Sequence, residues 1–537
     1  MGLWHNTGCS RIAPVTTHAD QRVRAFLVLR LTVMAMLPLC AQSVLATEAW
    51  EHRWIEVRSA HFAVASTLSN KRTTVLVEAL EDFRVAVAAL TNISMPEERV
   101  PTRIYILPAP EDDFRLSGAL KGYMLTRMRG NYAAMVPTGS STADVLKHEY
   151  VHFLVHNHSA QQYPIWFDEG FAELLATVRV KGDILEYGKA SPKRMSWLVN
   201  GDWMPFARLL SIRDTGQLRP DEKGMFYAQA WFLVHYLNLG GGAVNFLQQS
   251  HAYLRLVEAG TDSAAAFAQA FDTDPQLLEA RLRKYAQRLT YHRNAVLVPF
   301  PEVAMTTRDM PRDEIAAELG ALSAQTGGAQ AATKYFEAAL VANPDNAEAL
   351  VGLANVFKVT DRHAQARAYY EKAIRLAPDN ANHYLDYAEY FLFLADAEPA
   401  KESALLEARR LFLRSYELNP NNPETLTMNG ASYLFPGADA TKAVASIEAA
   451  HRLLPAQPEI RLWLAKAYIA AGRTDDARKQ LTQLLAWSHS ALVDELQSLL
   501  STIDPQQAGD TSADAQPAPA PVDQMPPPSS QNAGPPP

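Results

Sequence analysis

The stretch Val145-Leu146-Lys147-His148-Glu149-Tyr150-Val151-His152-Phe153-Leu154 places an H-E-x-x-H pattern within an apolar run that is compatible with a helix. Residues four apart lie one turn from each other on the same helical face, so His148 and His152 are placed to hold one metal ion. Glu149 lies about 100° further around the helix. From there its carboxylate reaches a water beside the metal rather than the metal itself. The pattern favours a hydrolytic metal site over its alternative, two histidines packed in a helical core.

A second stretch, Pro164-Ile165-Trp166-Phe167-Asp168-Glu169-Gly170-Phe171-Ala172-Glu173, supplies two carboxylates four residues apart. A hydrolytic zinc site has three protein ligands and an open fourth position, so one more donor is needed, and Glu169 is the candidate. Glu173 lies one helical turn further on. It is placed to accept a hydrogen bond from the non-ligating ring nitrogen of a zinc histidine and so to fix the tautomer of that ring.

Together, HEYVH and WFDEGFAE resemble the motifs of the gluzincin metallopeptidases, more narrowly those of the small peptidase MA-like group with a W-x-x-E-G motif. The resemblance implies an α+β zincin-like domain that binds Zn²⁺ and hydrolyses peptide bonds. It implies that His148, His152 and Glu169 are the ligands. In the same way it implies that Glu149 is the general base and that Glu173 lies behind His148.

His158 is the competing candidate for the third ligand, because metzincins place a histidine at this spacing. Those families need a glycine where this chain has Val155, since the backbone turns sharply there. A β-branched residue disfavours such a turn. If the helix continues, His158 lies about 9 Å beyond His152 along the helix axis. We therefore expect His158 and His156 to lie at a solvated helix end.

Tyr227 is the predicted donor to the oxygen of the scissile carbonyl as negative charge develops on it. The run that begins at Tyr227 resembles the Y-x-K-G segment of gluzincin aminopeptidases, but Gln229 and Ala230 replace the Lys-Gly pair. His235 is a second candidate, and core packing is the alternative for both residues. The segment Gly130-Asn-Tyr-Ala-Ala-Met135 lacks the glutamate by which those aminopeptidases bind a free amine, so we expect an endopeptidase.

The first 46 residues have the pattern of a signal peptide. They contain four arginines and one acid, an apolar run from Ala25 to Cys40, and a Val44-Leu45-Ala46 cleavage site. We expect an exported protein, periplasmic or secreted, with an uncleaved anchor in the membrane as the alternative. Cys9 and Cys40 both precede the cleavage site, so the mature chain would contain no thiol and no disulfide.

The overall charge argues against nucleic acid and anionic lipid as partners. The chain has 50 basic and 58 acidic residues, and removal of four arginines and one aspartate leaves 46 and 57, a net charge of −11. An apolar content of 48% with 20% charged residues is typical of soluble globular proteins.

Residues 47–297 are predicted to form the peptidase domain, with an α+β segment over 47–139 and the catalytic helices over 140–297. Alternating apolar residues predict strands within 50–65, 102–107 and 132–136, and a helix is predicted over 71–90. The resemblance implies that the strand near 131–136 is an edge strand that pairs with an extended substrate, and the alternative is an ordinary core strand. A connector over 298–312, which contains prolines, leads out of the domain.

Residues 313–487 repeat with a period near 34, which is typical of tetratricopeptide repeats. Pro344, Pro378, Pro420 and Pro455 close successive units and are separated by 34, 42 and 35 residues. We predict five repeats that form an all-α solenoid, the third with an insertion of eight residues around Phe393 to Glu402. Stacked repeats create a concave groove for a peptide or a partner protein. A capping helix over 488–504 and a disordered Pro-rich tail over 505–537 follow.

The leading hypothesis is therefore an exported zinc peptidase whose repeats dock a partner or present a substrate. A catalytically silent scaffold that binds proteins through its repeats is the main alternative. A zinc hydrolase that acts on something other than protein is the third hypothesis.

Overall fold

The structure is a computed structural model that describes residues 47–91, 102–109, 112–114, 116, 122–137, 142–158, 163–240, 245–288, 293–326, 328–396, 401–487 and 490–503. The predicted signal peptide, with Cys9 and Cys40, and the predicted tail over 505–537 lie outside these residues. Within the described ranges, no helix has both the length and the apolar composition needed to cross a membrane.

The elements follow one another as a mixed first half and a helical second half. The strands are β1 (Ile55–Arg58), β2 (Phe62–Ser66), β3 (Thr102–Ile106), β4 (Gly122–Arg127), β5 (Gly130–Met135), β6 (Arg179–Lys181), β7 (Ile184–Tyr187), β8 (Asn294–Leu297) and β9 (Thr306–Asp309). The helices of the first half are α1 (Asn70–Thr91), α2 (Thr142–His158), α3 (Ile165–Ala176), α4 (Pro192–Asn200), α5 (Phe206–Ser211), α6 (Pro220–Leu239), α7 (Phe246–Glu258), α8 (Ser263–Phe271) and α9 (Pro275–Ala286).

The helices of the second half come in consecutive pairs. They are α10 (Arg312–Thr326), α11 (Ala329–Ala342), α12 (Ala347–Val359), α13 (His363–Leu376), α14 (Ala381–Asp396), α15 (Lys401–Leu418), α16 (Pro423–Ser432), α17 (Ala440–Leu453), α18 (Pro458–Ala470), α19 (Thr474–Trp487) and α20 (Ser490–Ile503).

Five helix pairs, α10–α11 to α18–α19, occupy the segment for which five repeats are predicted, and α20 follows them as the predicted capping helix does. Each pair buries small residues where its two helices meet. Ala354 and Ala366 of the second pair are both fully buried. The predicted insertion falls where α14 ends and α15 begins, and α15 is a long helix of 18 residues.

Six strands form the main sheet, in the order β4-β5-β3-β2-β1-β9. β2 and β3 are parallel, with α1 between them along the chain, and β3 and β5 are also parallel. β4 and β5 form an antiparallel hairpin in which Arg127 faces Gly130, so Met128 and Arg129 are the two residues of the turn. β4 is therefore at one edge of the described sheet, with β9 at the other, and β5 lies inside the sheet.

The strand near 131–136 therefore lies inside the sheet, as the second of the two alternatives predicted. Sequence analysis did not predict the strand over residues 122–127, which pairs with β5 as a hairpin. β4 takes the edge position and packs against α2, the helix of the H-E-x-x-H motif.

Both faces of the main sheet are covered. On one face, Val57, Val64 and Ile104 lie in a core with Leu80 of α1 and Val151 of α2, all fully buried or nearly so. On the other face, the core consists of Trp54, Ala65 and Tyr105 together with Leu319 of α10 and Tyr335 of α11. The first helix pair of the repeat half therefore completes the sheet domain.

Residues 298–312 were predicted to be a linker, but part of this segment is a strand of the main sheet. The segment contains β9, in which Thr307 pairs with Val57 of β1. All four residues of β9 are exposed, so the strand lacks the buried apolar alternation by which a strand is recognised in sequence. Arg308 on β9 also forms an ion pair with Glu56 of β1. The two halves are consequently joined through this strand and not through a free connector.

The helices α3 to α9 enclose a separate apolar core that includes Trp166 of α3, Trp231 and Phe232 of α6, and Tyr253 of α7. A small sheet in the order β6-β7-β8 lies in the same part of the chain, for which sequence analysis predicted helices alone. α3 packs closely on α6. A Cβ atom on Gly170 of α3 would lie 2.3 Å from the carbonyl oxygen of Ala230, so only glycine permits this approach.

Candidate metal centre

The imidazole rings of His148 and His152, both on α2, converge. The Nε2 atoms of His148 and His152 lie 3.2 Å apart, as expected for residues one helical turn from each other. The side chains are 14% and 18% exposed, so both histidines are partly accessible to solvent.

α3 brings the third donor, Glu169, to the same point. Its Oε2 atom lies 3.2 Å from Nε2 of His148 and 3.4 Å from Nε2 of His152. This oxygen is buried and has no hydrogen-bond partner among the described residues. Within those residues, His148, His152 and Glu169 are the one group of histidine, cysteine or acidic side chains close enough to hold a metal ion.

The separations of these atoms fit a zinc ion. Donors about 2.0–2.1 Å from one zinc ion in tetrahedral geometry lie about 3.3 Å from each other. The observed separations are 3.2, 3.2 and 3.4 Å. Two imidazoles and one carboxylate are also the donor set of open, hydrolytic zinc sites.

Each imidazole has a carboxylate behind it. Glu173, predicted to support His148, has Oε1 3.4 Å from Nδ1 of that ring. Asp168, to which sequence analysis gave no role, has Oδ2 3.0 Å from Nδ1 of His152. Such contacts fix the orientation of a ligand histidine and raise its basicity. Asp168 immediately precedes Glu169, the candidate third ligand, and no spacing rule distinguishes it from a solvated acid.

Arg194 on α4 is a second residue that sequence analysis did not identify. Its guanidinium binds both carboxylate oxygens of Glu173, with Nε 2.8 Å from Oε2 and Nη2 in contact with Oε1. The same guanidinium lies over the ring of Tyr227, 5.1 Å from its centroid. Arg194 therefore joins the residue behind His148 to the predicted oxyanion donor. Its distance along the chain from both motifs hides this role in the sequence.

The electrostatics of the site favour a cation. Burial alone would raise the pKa of the Glu169 carboxyl, but the adjacent imidazoles of His148 and His152 outweigh burial and lower the pKa to about 2. Burial likewise opposes the charged form of His152, but Asp168 and Glu169 raise the pKa of His152 well above its usual value. Positive charge at this point is stabilised by the surrounding carboxylates.

Glu149 and Tyr227 both have raised pKa values. Burial is the main cause for Glu149, with Glu169 and Asp168 adding to it and the two histidines opposing it. Burial, together with the charges of Glu169 and Glu149, raises the pKa of Tyr227 to about 12. The hydroxyl of Tyr227 is therefore protonated at neutral pH and able to donate a hydrogen bond.

The remaining histidine candidates belong to two helices, His156 and His158 to α2 and His235 to α6. α2 continues as a helix to His158, which is the condition under which we expected His158 and His156 to lie away from the metal position. His235 is fully buried. Its Nε2 atom lies 3.0 Å from the carbonyl oxygen of Gly188, and its Nδ1 atom lies 3.3 Å from the hydroxyl of Tyr285. These contacts make His235 part of the core of the α3–α9 region.

Comparison with known proteins identifies the second half of the chain. Two family profiles, both described as "Tetratricopeptide repeat", match residues 347–380 and 438–500. The first match covers α12 and α13, and the second begins just before α17 and reaches into α20. The helix pairs of the second half are therefore tetratricopeptide repeats, a class that binds protein partners. Neither match reaches the candidate metal centre.

No curated protein matches the chain. Among solved structures, a thermophilic TPR protein of Thermus thermophilus is 25% identical and covers 36% of this chain and 99% of its own, with a TM-score of 0.31. PilF of Pseudomonas aeruginosa is 20% identical and covers 37% of this chain and 92% of its own, with a TM-score of 0.30. YrrB, described as a TPR protein with an unusual peptide-binding site, is 17% identical and covers 34% of this chain and 90% of its own, with a TM-score of 0.26.

Proposed function

We propose that this chain is a zinc-dependent peptidase of the gluzincin type, with a zincin-like α+β domain joined to a tetratricopeptide-repeat array that docks a protein partner or substrate. The observation that carries the proposal is the convergence of Nε2 of His148, Nε2 of His152 and Oε2 of Glu169, which lie 3.2–3.4 Å from each other. The signal-like pattern before residue 47 supports export to the periplasm or the medium.

In this proposal His148, His152 and Glu169 hold Zn²⁺, which when bound supplies Lewis acidity and lowers the pKa of water. Glu149 has the role of the base. Its carboxylate accepts a proton from the attacking water and delivers that proton to the nitrogen of the leaving amine.

Tyr227 has the role of the oxyanion donor. Its phenol stays protonated at neutral pH and donates to the carbonyl oxygen as negative charge develops there. Arg194 lies against the Tyr227 ring and holds Glu173, so it positions both groups. We place an extended peptide substrate along β4, which stands at one end of the strand order of the described sheet and packs against α2. Internal β5, which sequence analysis considered for that role, is paired on both sides.

The test compares the full-length chain with Glu149→Gln on a mixed peptide library, with mass-spectrometric detection of new termini. Glu149→Gln is expected to retain zinc and to lose cleavage at least ~100-fold, because a general base contributes about 10²–10⁴-fold. Glu402→Gln, an exposed change in the repeat array, serves as the control and should cleave as the parent does. Equal cleavage by the parent and Glu149→Gln would remove the peptidase proposal.

A catalytically silent scaffold is the second candidate. A specific observation favours it, since both family matches lie in the repeat array, whose function is protein binding. The same experiment separates the two candidates. A parent chain that binds zinc and captures protein partners but produces no new peptide termini would be a scaffold, and its metal would be structural.

A further inference from the structure

The turn of the β4–β5 hairpin reaches out of the sheet domain into the repeat array. Nη1 of Arg129 lies 3.0 Å from Oδ2 and 3.2 Å from Oδ1 of Asp386 on α14. Nε of the same arginine lies 2.7 Å from Oε2 of Glu424 on α16. One guanidinium thus binds carboxylates of two successive repeats.

The array holds these acids in fixed positions. The side chains of Asp386 and Glu424 are only 10% and 13% exposed. Nδ2 of Asn355 on α12 lies 3.4 Å from Oδ1 of Asp386. The hydroxyl of Tyr370 in turn donates to Oδ1 of Asn355 at 2.6 Å. Asp386 is therefore held by hydrogen bonds within the array itself, in addition to its contact with the hairpin. We call the cleft the site formed by four polar residues of the array, Asn355, Asp386, Glu389 and Glu424.

The residues of this cleft come from α12, α14 and α16, each the first helix of its pair. These first helices are neighbours in the stack, since α12 contacts α14 and α14 contacts α16. Asn355, Asp386 and Glu424 therefore lie on one surface formed by three neighbouring helices of the array. Here that surface is filled by the chain's own hairpin turn.

The array matches the hairpin turn in two ways, by acidic residues near Arg129 and by an apolar core against Met128. Glu389, one turn beyond Asp386 on α14, adds a third carboxylate. Burial together with Asp386 and Glu424 raises the pKa of Glu389 to about 7, although Arg129 opposes the rise. The charge of Glu389 therefore acts on the same guanidinium that Asp386 and Glu424 bind. Next to Arg129, Met128 packs against the apolar core of the fourth and fifth helix pairs.

We infer that this cleft, formed by Asn355, Asp386, Glu389 and Glu424, is a recognition site for an extended segment of a partner protein that carries an apolar residue followed by arginine. Met128 and Arg129 occupy the site in cis. The planar fork of arginine matches two carboxylates at once, which lysine does not. A partner segment competes with the hairpin, and its binding releases the turn between β4 and β5. This binding site does not depend on the proposed peptidase activity.

The test measures binding of a fluorescent peptide with the sequence of residues 126–132 (TRMRGNY) to the full-length chain by anisotropy. The parent chain should bind weakly, because its own hairpin fills the cleft. Arg129→Ala should bind the peptide at least ~10-fold more tightly, the effect of removing an intramolecular competitor. Arg410→Ala removes an exposed arginine that pairs with Glu407 on its own helix, so it serves as the matched control and should bind as the parent does.

Further variants identify the site. Asp386→Asn added to Arg129→Ala should abolish the gain, and a peptide with alanine in place of its second arginine should bind no variant. Arg129→Lys, which keeps the charge but loses the forked contact, should give an intermediate gain even if Arg129→Ala folds poorly. The inference is overturned if neither Arg129 variant binds more tightly than Arg410→Ala, or if the gain survives Asp386→Asn. It is also overturned if the Arg129 variants dimerise without peptide, because a second copy would then be the occupant.

Discussion

Nδ1 of His152 lies 3.0 Å from Oδ2 of Asp168, and this contact links the two helices of the candidate metal centre from behind the ligand position. α2 supplies the histidine and α3 supplies the acid, so the contact depends on the packing of the two helices. It fixes the ring with Nε2 directed toward Glu169.

Asp168→Asn is expected to weaken zinc binding by ~10–100-fold, the usual effect of removing the acid behind a ligand histidine. The amide no longer stabilises the ring orientation electrostatically, although its shape is nearly the same. Competition with a fluorescent zinc chelator measures the affinity. Asp379→Asn, an exposed change in the repeat array, is the control. Equal zinc affinity of Asp168→Asn and the control would show that Asp168 does not support the site.

Arg194→Met is expected to reduce peptide cleavage by ~10-fold while zinc stays bound, because Glu173 and Tyr227 both lose the group that positions them. Arg194→Lys should restore little, since lysine cannot bind both oxygens of Glu173. Cleavage rates and zinc content are measured on the same samples. Arg208→Met removes an ion pair to Glu222 outside the site and controls for loss of an arginine. Full activity of Arg194→Met would contradict the positioning role.

Gly170→Ala is expected to destabilise the fold by about 1–3 kcal/mol, the usual cost of overpacking a closed contact. The added Cβ would meet the carbonyl oxygen of Ala230 at 2.3 Å and push α6 away from α3. Thermal unfolding measures the loss. Gly182 has φ of +57° and open space around it, so Gly182→Asn is the control and should unfold as the parent does. An unchanged unfolding temperature in Gly170→Ala would show that α3 and α6 are not so closely packed.

The ionisation of Glu56 is expected to make the stability of the fold depend on pH. Burial would raise its pKa, but Arg103, Arg308 and Arg58 outweigh burial and lower the pKa of Glu56 from 4.5 to about 2. A lowered pKa in the folded state stabilises the fold above pH 4.5, and this stabilisation is lost as the pH falls toward 2. The contribution is at most about 3.5 kcal/mol, at about 1.4 kcal/mol per pKa unit.

Glu56→Gln should therefore be less stable than the parent at pH 7 and closer to it at pH 3. Urea unfolding midpoints at several pH values measure the difference. Glu318, which also pairs with Arg103, has a raised pKa because of its burial, so its titration affects stability at higher pH and does not replace that of Glu56. If the two proteins differ equally at pH 7 and pH 3, Glu56 does not have a lowered pKa in the fold.

The site residues that sequence analysis identified are those set by local spacing. His148 and His152 follow from the four-residue period of a helix, and Glu173 follows from Glu169 in the same way. That α3 would meet α2 was known only through the resemblance of the two motifs to a family. Asp168 and Arg194 were missed because their roles depend on the angle between helices.

In the fold, too, the features set by local sequence were predicted and those set by tertiary contacts were missed. The repeat half was predicted well, because its helix pairs contact their neighbours in sequence and leave a regular period. β9, β4 and the small sheet β6-β7-β8 were missed. β9 is exposed, and its partner β1 lies about 250 residues earlier in the chain, at the pairing of Thr307 with Val57. The contact of Arg129 with Asp386 is likewise a matter of tertiary structure alone.

The most direct measurement of the central claim is an anomalous difference map at the zinc absorption edge from crystals of the full-length chain. We predict one strong peak about 2.0–2.2 Å from Nε2 of His148, Nε2 of His152 and a carboxylate oxygen of Glu169. Crystals soaked with zinc that show no peak between these three side chains, or that show Glu169 turned away from both rings, would contradict the account.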